Sequence, residues 1–262
     1  MGNKLSIITG ASSGIGKSYA YQLAERGYDI LLTGRREELL KNICLDIESK
    51  FQTSAQYLVI ELSDKNNRKA LVEKILNSEV DILINNAGFG LKNDFLNIEK
   101  SIDMIKVHNE ATVELTFSAI QSMIERKSGA IINVSSIAGF LLSPNDVMYC
   151  ATKAFLISFT ESLHLKLKKY NIKLQALCPG FTHTDFHERI GYDKNDPIFK
   201  SFMTSDDVVK TSLKYLGKGK VICVPGFNYR LGKLIVSLLP REVFYKSVLL
   251  YSKFNKRTNE HS

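Results

Sequence analysis

The chain has 262 residues, of which 44% are hydrophobic and 24% are charged, so it is long enough to bury one good core. No apolar run approaches the roughly 18–20 residues of a membrane-spanning helix, and residues 1–10 lack the layout of a secretory signal. The net charge of +8 indicates either an anionic partner or a lysine-rich solvated surface. Four cysteines, Cys44, Cys150, Cys178 and Cys223, show no paired spacing. We therefore expect reduced thiols, no metal site and a cytoplasmic location.

Short apolar strands alternate with helical stretches along most of the chain. We predict strands over residues 5–9, 29–33, 57–60, 80–84, 130–134 and 172–177, and a short one over 221–224. Helices are predicted from a glycine-rich turn through Tyr28, over 37–51, over 64–78, as one long helix before the fifth strand, and over 147–171. Near-continuous apolar strands between helices are typical of a parallel sheet covered on both faces. Right-handed crossovers then arrange it as a doubly wound, Rossmann-like α/β fold in a single domain.

Two regions depart from this alternation. Residues 184–203 are irregular and contain Phe186, Phe199 and Phe202, as in an apolar substrate lid or a surface loop. The tail from Gly226 carries apolar residues near helical spacing among basic ones: Leu231, Leu234, Ile235, Leu238 and Leu239 among Arg230, Lys233 and Arg241. We expect this tail to dock on the core, with an acyl pocket or an anionic membrane surface as alternatives. Residues 1–225 are thus assigned to the main part of the domain and 226–262 to a basic, apolar helical extension.

A glycine-rich turn, Thr9 to Gly16, joins the first strand to the first helix. Gly10 permits a tight turn, Gly14 lets the backbone approach a pyrophosphate, and Gly16 lets the helix pack close to the sheet. The helix N-terminus supplies free N–H groups and the positive end of its dipole. The pattern indicates a dinucleotide site formed by Gly10, Ser12, Ser13, Gly14, Ile15 and Gly16.

The second strand ends in Gly34-Arg35-Arg36, about 20 residues after the turn. Sites for NAD usually carry an acidic residue there, which binds the ribose 2′-hydroxyl. Two guanidinium groups at Arg35 and Arg36 would instead hold a 2′-phosphate, which favours NADP(H). The alternative is a solvated pair of arginines that Glu37 and Glu38 neutralise.

Tyr149 and Lys153 are four residues apart in a predicted helix and share one face. With 11 tyrosines in the chain, about one YxxxK is expected by chance, so the signal depends on Ser136. This serine ends the fifth strand at the edge where doubly wound folds bind ligands. A nearby ammonium and an oxidised nicotinamide would bring the phenol pKa, about 10 when unperturbed, toward neutrality. Tyr149 would then be the general acid or base, Ser136 would bind the developing alkoxide and Lys153 would anchor the ribose.

With these residues the sequence closely resembles the short-chain dehydrogenase/reductase family, over about Lys4 to Val224. The resemblance rests on the TGxxxGxG turn, the Asn85-Asn86-Ala87-Gly88 motif, the serine with YxxxK, and Pro179-Gly180 with Thr184 downstream. It implies carbonyl–alcohol redox chemistry and a homodimer or homotetramer. It also implies cofactor contacts from Glu61, Leu62, Asn86, Ala87, Gly88, Tyr149, Lys153, Pro179, Gly180, Thr182 and Thr184.

Two positions depart from the family pattern. Glu61 stands where the family has an aspartate that contacts the adenine. His108, rather than Asn109, aligns with the family's usual asparagine in the helix before the fifth strand. A histidine at that position can relay protons or be an ordinary helix residue, and the sequence leaves both readings open.

The predicted function is hydride transfer between NADP(H) and a carbonyl or alcohol substrate. An apolar ketone or acyl-type carbonyl is expected, because the aromatic loop and leucine-rich tail resemble family members that handle lipidic substrates. The alternative is a non-catalytic NADP-binding regulatory protein, against which the intact Ser136, Tyr149 and Lys153 argue. We expect no nucleic-acid partner, because the lysines are spread along the chain and no nucleic-acid motif is present. Membrane-surface association is a less favoured possibility.

Overall fold

The computed structural model describes residues 3–91, 97–186 and 202–259, with side chains as far as residue 250. Its strands are β1 Lys4–Thr9, β2 Tyr28–Gly34, β3 Ala55–Val59, β4 Val80–Asn85, β5 Gly129–Val134, β6 Ile172–Leu177, β7 Thr182–His183, β8 Met203–Thr204 and β9 Ile222–Cys223. Seven of them form one sheet in the order β3-β2-β1-β4-β5-β6-β9, and every neighbouring pair is parallel. The order reverses between β1 and β4, which confirms the doubly wound fold.

The helices that connect and cover these strands alternate with them along the chain. They are α1 Gly14–Ala24, α2 Glu37–Lys50, α3 Lys65–Leu76, α4 Ile98–Ile105, α5 Ala111–Arg126, α6 Val147–Leu167, α7 Ser205–Gly217, α8 Phe227–Leu238 and α9 Arg241–Asn259. A π-helical turn, Lys106–Glu110, joins α4 to α5, and short 3-10 helices span Ile137–Phe140 and Lys168–Tyr170.

Hydrophobic cores lie on both faces of the sheet. Because successive strand residues point to opposite faces, Ile7 packs with Leu31 in one core and Ile8 packs with Leu32 in the other. The four cysteines all lie in the described ranges, where they are buried and form no disulfide bond. The near-continuous apolar runs of the central strands therefore follow from burial on two sides, as the sequence predicted.

Three predicted helix boundaries were wrong. The first helix ends at Ala24 rather than Tyr28, because Gly27 takes a left-handed φ of 77° that turns the chain into β2. The helix predicted over 147–171 ends at Leu167, and Asn171 closes the following 3-10 turn at φ 57°. The long helix before β5 is interrupted by the π-helical turn, for which the apolar spacing gave no signal.

The C-terminal extension contacts the body of the protein, but not through its leucines. The Tyr229 hydroxyl accepts a hydrogen bond from the Phe181 N–H at 3.1 Å, the Lys233 ammonium lies 4.7 Å from the centre of the Phe140 ring, and Phe244 is buried. In contrast, Leu231, Leu234, Ile235 and Leu238 are 46–74% exposed. The tail therefore contacts the body as expected, but through Tyr229, Lys233 and Phe244 rather than through its leucines. The assignment of 226–262 as a separate part of the domain stays a prediction.

Candidate active site

The carboxyl ends of the central strands open onto one continuous cleft. Its lining includes every predicted site residue except Gly16: Gly10, Ser12, Ser13, Gly14, Ile15, Arg35, Arg36, Glu61, Leu62, Asn86, Ala87, Gly88, Ser136, Tyr149, Lys153, Pro179, Gly180, Thr182 and Thr184. Gly16 lies behind the lining, where a Cβ would be 2.5 Å from the Gly10 carbonyl oxygen. The structure thus brings together residues that are up to 174 positions apart in the sequence.

The glycine-rich turn leaves the first turn of α1 open to an anion. Gly10 and Gly14 have φ values of 64° and 54°, which residues with a side chain rarely adopt. Ser13 is the N-cap residue, but its hydroxyl does not cap the helix, and the first turn of α1 contains no acidic residue. Its N–H groups and the positive end of the helix dipole therefore favour a bound phosphate.

Hydrogen bonds of Asn86 link the end of β4 to this turn. Its Nδ2 donates hydrogen bonds to the carbonyl oxygens of Thr9, at 2.9 Å, and Gly10, at 3.1 Å. The Thr9 hydroxyl accepts hydrogen bonds from the backbone N–H groups of Asn86 and Ala87, both at 3.0 Å. The Asn86 side chain thus has a clear structural role, and a direct contact between it and a cofactor stays a prediction.

The two arginines after β2 have different environments. Arg36 donates hydrogen bonds from Nη2 to the hydroxyls of Ser12 and Ser13, both at 2.8 Å, and forms an ion pair with Asp185 at 3.3 Å. Arg35 forms an ion pair with Glu61 at 3.2 Å and is 65% exposed, whereas Arg36 is 36% exposed. Arg36 is therefore held over the glycine-rich turn, and Arg35 lies at the rim of the cleft.

The Glu61 carboxylate forms hydrogen bonds with Ser63 and an ion pair with Arg35. Its Oε1 accepts hydrogen bonds from the Ser63 N–H, at 3.1 Å, and from the Ser63 hydroxyl, at 2.9 Å. Burial raises the pKa of this carboxyl, but the bonds from Ser63 and the charge of Arg35 outweigh burial and leave the pKa below its usual value. Glu61 is therefore ionised at neutral pH, and its predicted contact with adenine stays a prediction.

Ser136, Tyr149 and Lys153 meet at the carboxyl end of β5. Ser136 is the N-cap residue of the 3-10 helix, where its Oγ accepts a hydrogen bond from the Ala138 N–H at 3.1 Å. The Ser136 side chain also hydrogen-bonds to the Tyr149 hydroxyl. Lys153 donates a hydrogen bond from Nζ to the Val134 carbonyl oxygen at 2.9 Å, and its Nζ lies 5.6 Å from the centre of the Tyr149 ring.

Burial dominates the titration of this group. It raises the pKa of Tyr149 to about 12, although the hydrogen bond from Ser136 acts in the opposite direction. Burial also lowers the pKa of Lys153 to about 8. The predicted shift of the phenol pKa toward neutrality depends on the ammonium together with an oxidised nicotinamide, and it stays a prediction; the protein alone holds the phenol protonated at neutral pH.

His108 lies at the π-helical turn, buried between the end of β4 and α6. Its Nε2 accepts a hydrogen bond from the Phe89 N–H at 3.0 Å, so Nδ1 carries the proton and donates to the Thr152 hydroxyl, also at 3.0 Å. That hydroxyl donates in turn to the Tyr149 carbonyl oxygen. Burial, with the charge of Lys153, holds the pKa of His108 well below its usual value. The His108 ring is therefore neutral and hydrogen-bonded at both nitrogens, and we expect it to position Phe89 and Thr152 rather than to carry charge.

Asn109 also reaches α6, because its Nδ2 donates a hydrogen bond to the Thr152 carbonyl oxygen at 3.0 Å. Of these two neighbouring residues, His108 is the one whose side chain lies beside Gly88 and Lys153, since a Cβ on Gly88 would be 2.9 Å from its Nε2 and 3.5 Å from the Lys153 Nζ. Which of the two residues fills the family's asparagine position stays open.

The sequence missed the groups that hold the catalytic helix in place. The Ser135 hydroxyl donates a hydrogen bond to the Lys153 carbonyl oxygen at 2.7 Å, and Val134 and Phe89 contribute only backbone groups. Backbone contacts leave no trace in residue type. Ser135 and Thr152 could have been suspected, because each adjoins a predicted catalytic residue.

The two described aromatic residues of the predicted lid have different surroundings. The Phe186 ring is 5.7 Å from the Tyr149 ring, whereas Phe202 is buried and stacks on Phe181 with ring centres 4.9 Å apart. Phe199 lies outside the described residues. Phe186 therefore gives the catalytic side of the cleft an apolar wall, while Phe202 belongs to the packing behind it.

Known proteins are similar to this chain in sequence and fold. The family model for short chain dehydrogenase matches residues 4–195. A 3-oxoacyl-[acyl-carrier-protein] reductase of Aquifex aeolicus is 34% identical over 188 residues, which cover 70% of this chain and 75% of that protein. The very-long-chain 3-oxoacyl-CoA reductase of Rattus norvegicus is 29% identical over 255 residues, 95% of this chain and 79% of that protein. A short-chain dehydrogenase from Sphingobium yanoikuyae in complex with NADPH has a TM-score of 0.82 at 27% identity, covering 90% of this chain and 96% of that one. This chain belongs to the short-chain dehydrogenase family of oxidoreductases.

Proposed function

We propose that this protein transfers a hydride between NADP(H) and an apolar ketone or acyl-type carbonyl, or the corresponding alcohol. The observation that carries the proposal is the meeting of Ser136, Tyr149 and Lys153 in the same cleft as the phosphate-binding turn. The protein supplies an acid, a hydrogen-bond donor and a buried cation at one end of the cleft. At the other end it supplies an anion site.

The residues present fit NADP(H). The open first turn of α1 suits the pyrophosphate, and Arg36 with the hydroxyls of Ser12 and Ser13 suits a 2′-phosphate. Tyr149 and Lys153 would hold the ribose beside the nicotinamide. Pro179, Gly180, Thr182 and Thr184 would hold its carboxamide. The likeness to a short-chain dehydrogenase described with NADPH supports the same choice.

When bound, the nicotinamide ring supplies or accepts the hydride. In the direction of reduction, the Tyr149 hydroxyl donates its proton to the carbonyl oxygen, and its pKa of about 12 keeps that proton available at neutral pH. The Ser136 Oγ accepts from Ala138, and its one O–H bonds to the Tyr149 hydroxyl in the free protein; with substrate bound, that O–H would turn to donate to the oxygen on which negative charge develops. The Lys153 ammonium stabilises the phenolate that remains. In oxidation Tyr149 takes the proton of the alcohol.

The apolar substrate class rests on two observations. Phe186 lies against Tyr149, so the carbon skeleton next to the reacting carbonyl would contact an aromatic wall. The two named relatives act on 3-oxoacyl groups carried as thioesters. A panel of acyl thioesters, steroids, sugars and aldehydes, each tested for NADPH consumption, would place the substrate.

The test of the catalytic assignment is Tyr149→Phe, which deletes only the hydroxyl. We expect NADPH binding to be retained and turnover to fall by about one hundred- to ten-thousand-fold, the usual contribution of a general acid. Binding is measured by enhanced nicotinamide fluorescence and turnover by NADPH consumption. Substantial residual activity would contradict the role of Tyr149. Tight binding without turnover of any panel compound by the wild type would instead support a regulatory NADP-binding protein.

We also propose a homodimer that pairs the α5 and α6 surfaces of two copies. Phe155 and Phe159 stack on α6 with ring centres 5.8 Å apart, and Phe117 of α5 lies 6.2 Å from Phe159. Phe117 and Phe155 are nevertheless exposed, as is Leu165. Phe155→Glu is expected to shift the sedimentation coefficient to that of a monomer. An unchanged coefficient would exclude this surface as the interface.

A further inference from the structure

Helix α8 has two faces with different partners. Successive residues of a helix are about 100° apart around its axis. Tyr229 and Lys233 therefore lie on one side, where they contact Phe181 and Phe140. A second set of residues clusters on the opposite side: Phe227, Leu231, Leu234, Ile235 and Leu238, all of them exposed. We call this set the α8 apolar stripe.

The stripe continues onto α9. Phe244 is buried and anchors the start of that helix, while Val243, Leu249 and Leu250 are exposed. Single exposed leucines are ordinary, but a run of large apolar side chains along two consecutive helices marks a binding surface.

Positive charge is concentrated in the same segment. Residues 226–262 contain seven basic residues and two acidic ones, a net charge of +5 out of +8 for the whole chain. The basic residues are Arg230, Lys233, Arg241, Lys246, Lys253, Lys256 and Arg257. A second copy of the chain would bring an equally positive segment against this one, so charge favours an anionic occupant.

We propose that α8 and α9 bind the surface of an anionic lipid bilayer, with the α8 apolar stripe in contact with the acyl chains. Lys233 and Arg230 of α8 contact the body of the protein, so the basic residues available beside the stripe are those of α9, beginning with Arg241 and Lys246. An apolar helix face next to a basic segment is the pattern of helices that lie in the membrane interface. The 12 residues of α8 span about 18 Å, at roughly 1.5 Å per residue, and would lie along the surface. Among the described residues, none of the helices has the length and apolarity to cross a bilayer.

This surface lies next to the catalytic cleft. Tyr229 of α8 packs against Gly180, which lines the cleft, and Lys233 covers Phe140 of the 3-10 helix that Ser136 begins. A protein seated on a bilayer through α8 would therefore hold its cleft close to the membrane, where apolar substrates concentrate. The binding itself requires no turnover, and it can be tested separately from the proposed reaction.

The test is flotation of the purified full-length protein with vesicles of phosphatidylcholine, with or without phosphatidylglycerol, over a salt series. We expect flotation with the anionic vesicles at low salt and its loss at high salt. Leu234→Gln with Leu238→Gln should reduce the bound fraction at least about tenfold, since the apolar contact is removed. The matched control, Leu45→Gln on α2, changes an exposed leucine elsewhere and should bind as the wild type does.

The charge contribution has its own pair of variants. Arg241→Glu with Lys246→Glu should abolish the preference for anionic vesicles, whereas Lys69→Glu with Lys74→Glu on α3 makes the same charge change at a distance and should not. Circular dichroism and NADPH binding show that each variant is folded.

Three outcomes would overturn the proposal. The wild type could fail to float with anionic vesicles, or the α2 control could lose binding as fully as the α8 variant. Alternatively, the α8 variant could dissociate an oligomer and leave flotation unchanged, which would make the stripe a contact between copies of the chain.

Discussion

Replacing Arg36 by alanine tests the choice of NADP(H) over NAD(H). In the structure the Arg36 guanidinium donates to Ser12 and Ser13, so its position over the phosphate-binding turn is fixed before any ligand arrives. A hydrogen bond between a charged donor and its partner contributes about 1.5–3 kcal/mol. Since about 1.4 kcal/mol corresponds to a tenfold change in Kd, Arg36→Ala should weaken NADPH binding by roughly 10- to 150-fold. NADH lacks the 2′-phosphate, so its Kd should change little.

Arg35→Ala is the matched control. Arg35 is more exposed, so an ion pair between it and the 2′-phosphate would be screened by water and would contribute about 0.2–1 kcal/mol to NADPH binding, or at most roughly fivefold in Kd. Asp185→Asn tests whether NADPH affinity changes in the opposite direction. It removes a carboxylate that pairs with Arg36, and we expect it to tighten NADPH binding.

The assay is titration of each variant with NADPH and NADH, followed by nicotinamide fluorescence at fixed ionic strength. Equal weakening of both cofactors in Arg36→Ala would show that the side chain supports the turn and does not select the phosphate. A larger loss in Arg35→Ala than in Arg36→Ala would refute the assignment drawn from the two environments.

Two further predictions concern His108 and Lys153. His108→Ala removes the acceptor of the Phe89 N–H and the donor to Thr152, so it should lower both thermal stability and kcat. His108→Asn keeps one acceptor and one donor and should recover most of the stability and of kcat. An asparagine variant no better than the alanine variant would reject the positioning role. Lys153 is charged below its pKa of about 8, so NADPH should bind less tightly as pH rises through that value. Lys153→Arg should show no such loss of affinity. A wild-type Kd that stays constant to higher pH would contradict the role of the Lys153 charge in binding. The stability of the free protein should change in the opposite sense, rising between pH about 8 and the ordinary lysine pKa of 10.5, because burial of the ammonium is destabilising and is relieved only when the folded state loses its proton.

The strands and the cleft could be predicted from the sequence for a clear physical reason. A strand buried on both faces is apolar at most consecutive positions, as in Ile7-Ile8 and Leu31-Leu32, and this pattern is local. Once the strands are parallel, their carboxyl ends meet, so Gly10 and Tyr149 converge although the chain separates them by 139 positions.

Other features depend on tertiary packing and leave no local signal. The π-helical turn that places His108 and Asn109 against Thr152 does not follow from residue spacing. The effect of burial on the pKa of Tyr149 and Lys153 depends on the whole cleft. For α8, the sequence identified the apolar spacing but could not tell which face the protein covers, and the buried face is the one with Tyr229 and Lys233.

The four buried cysteines can be used to measure local unfolding of the protein by thiol labelling. They lie in α2, in α6, at the end of β6 and in β9, and burial raises the pKa of Cys44 to about 11 and of Cys223 to about 12. Only a thiolate attacks a disulfide reagent. In the native state, labelling should therefore be slow at each site, and the rate at each cysteine would report how often its own part of the sheet or its covering helices opens to solvent.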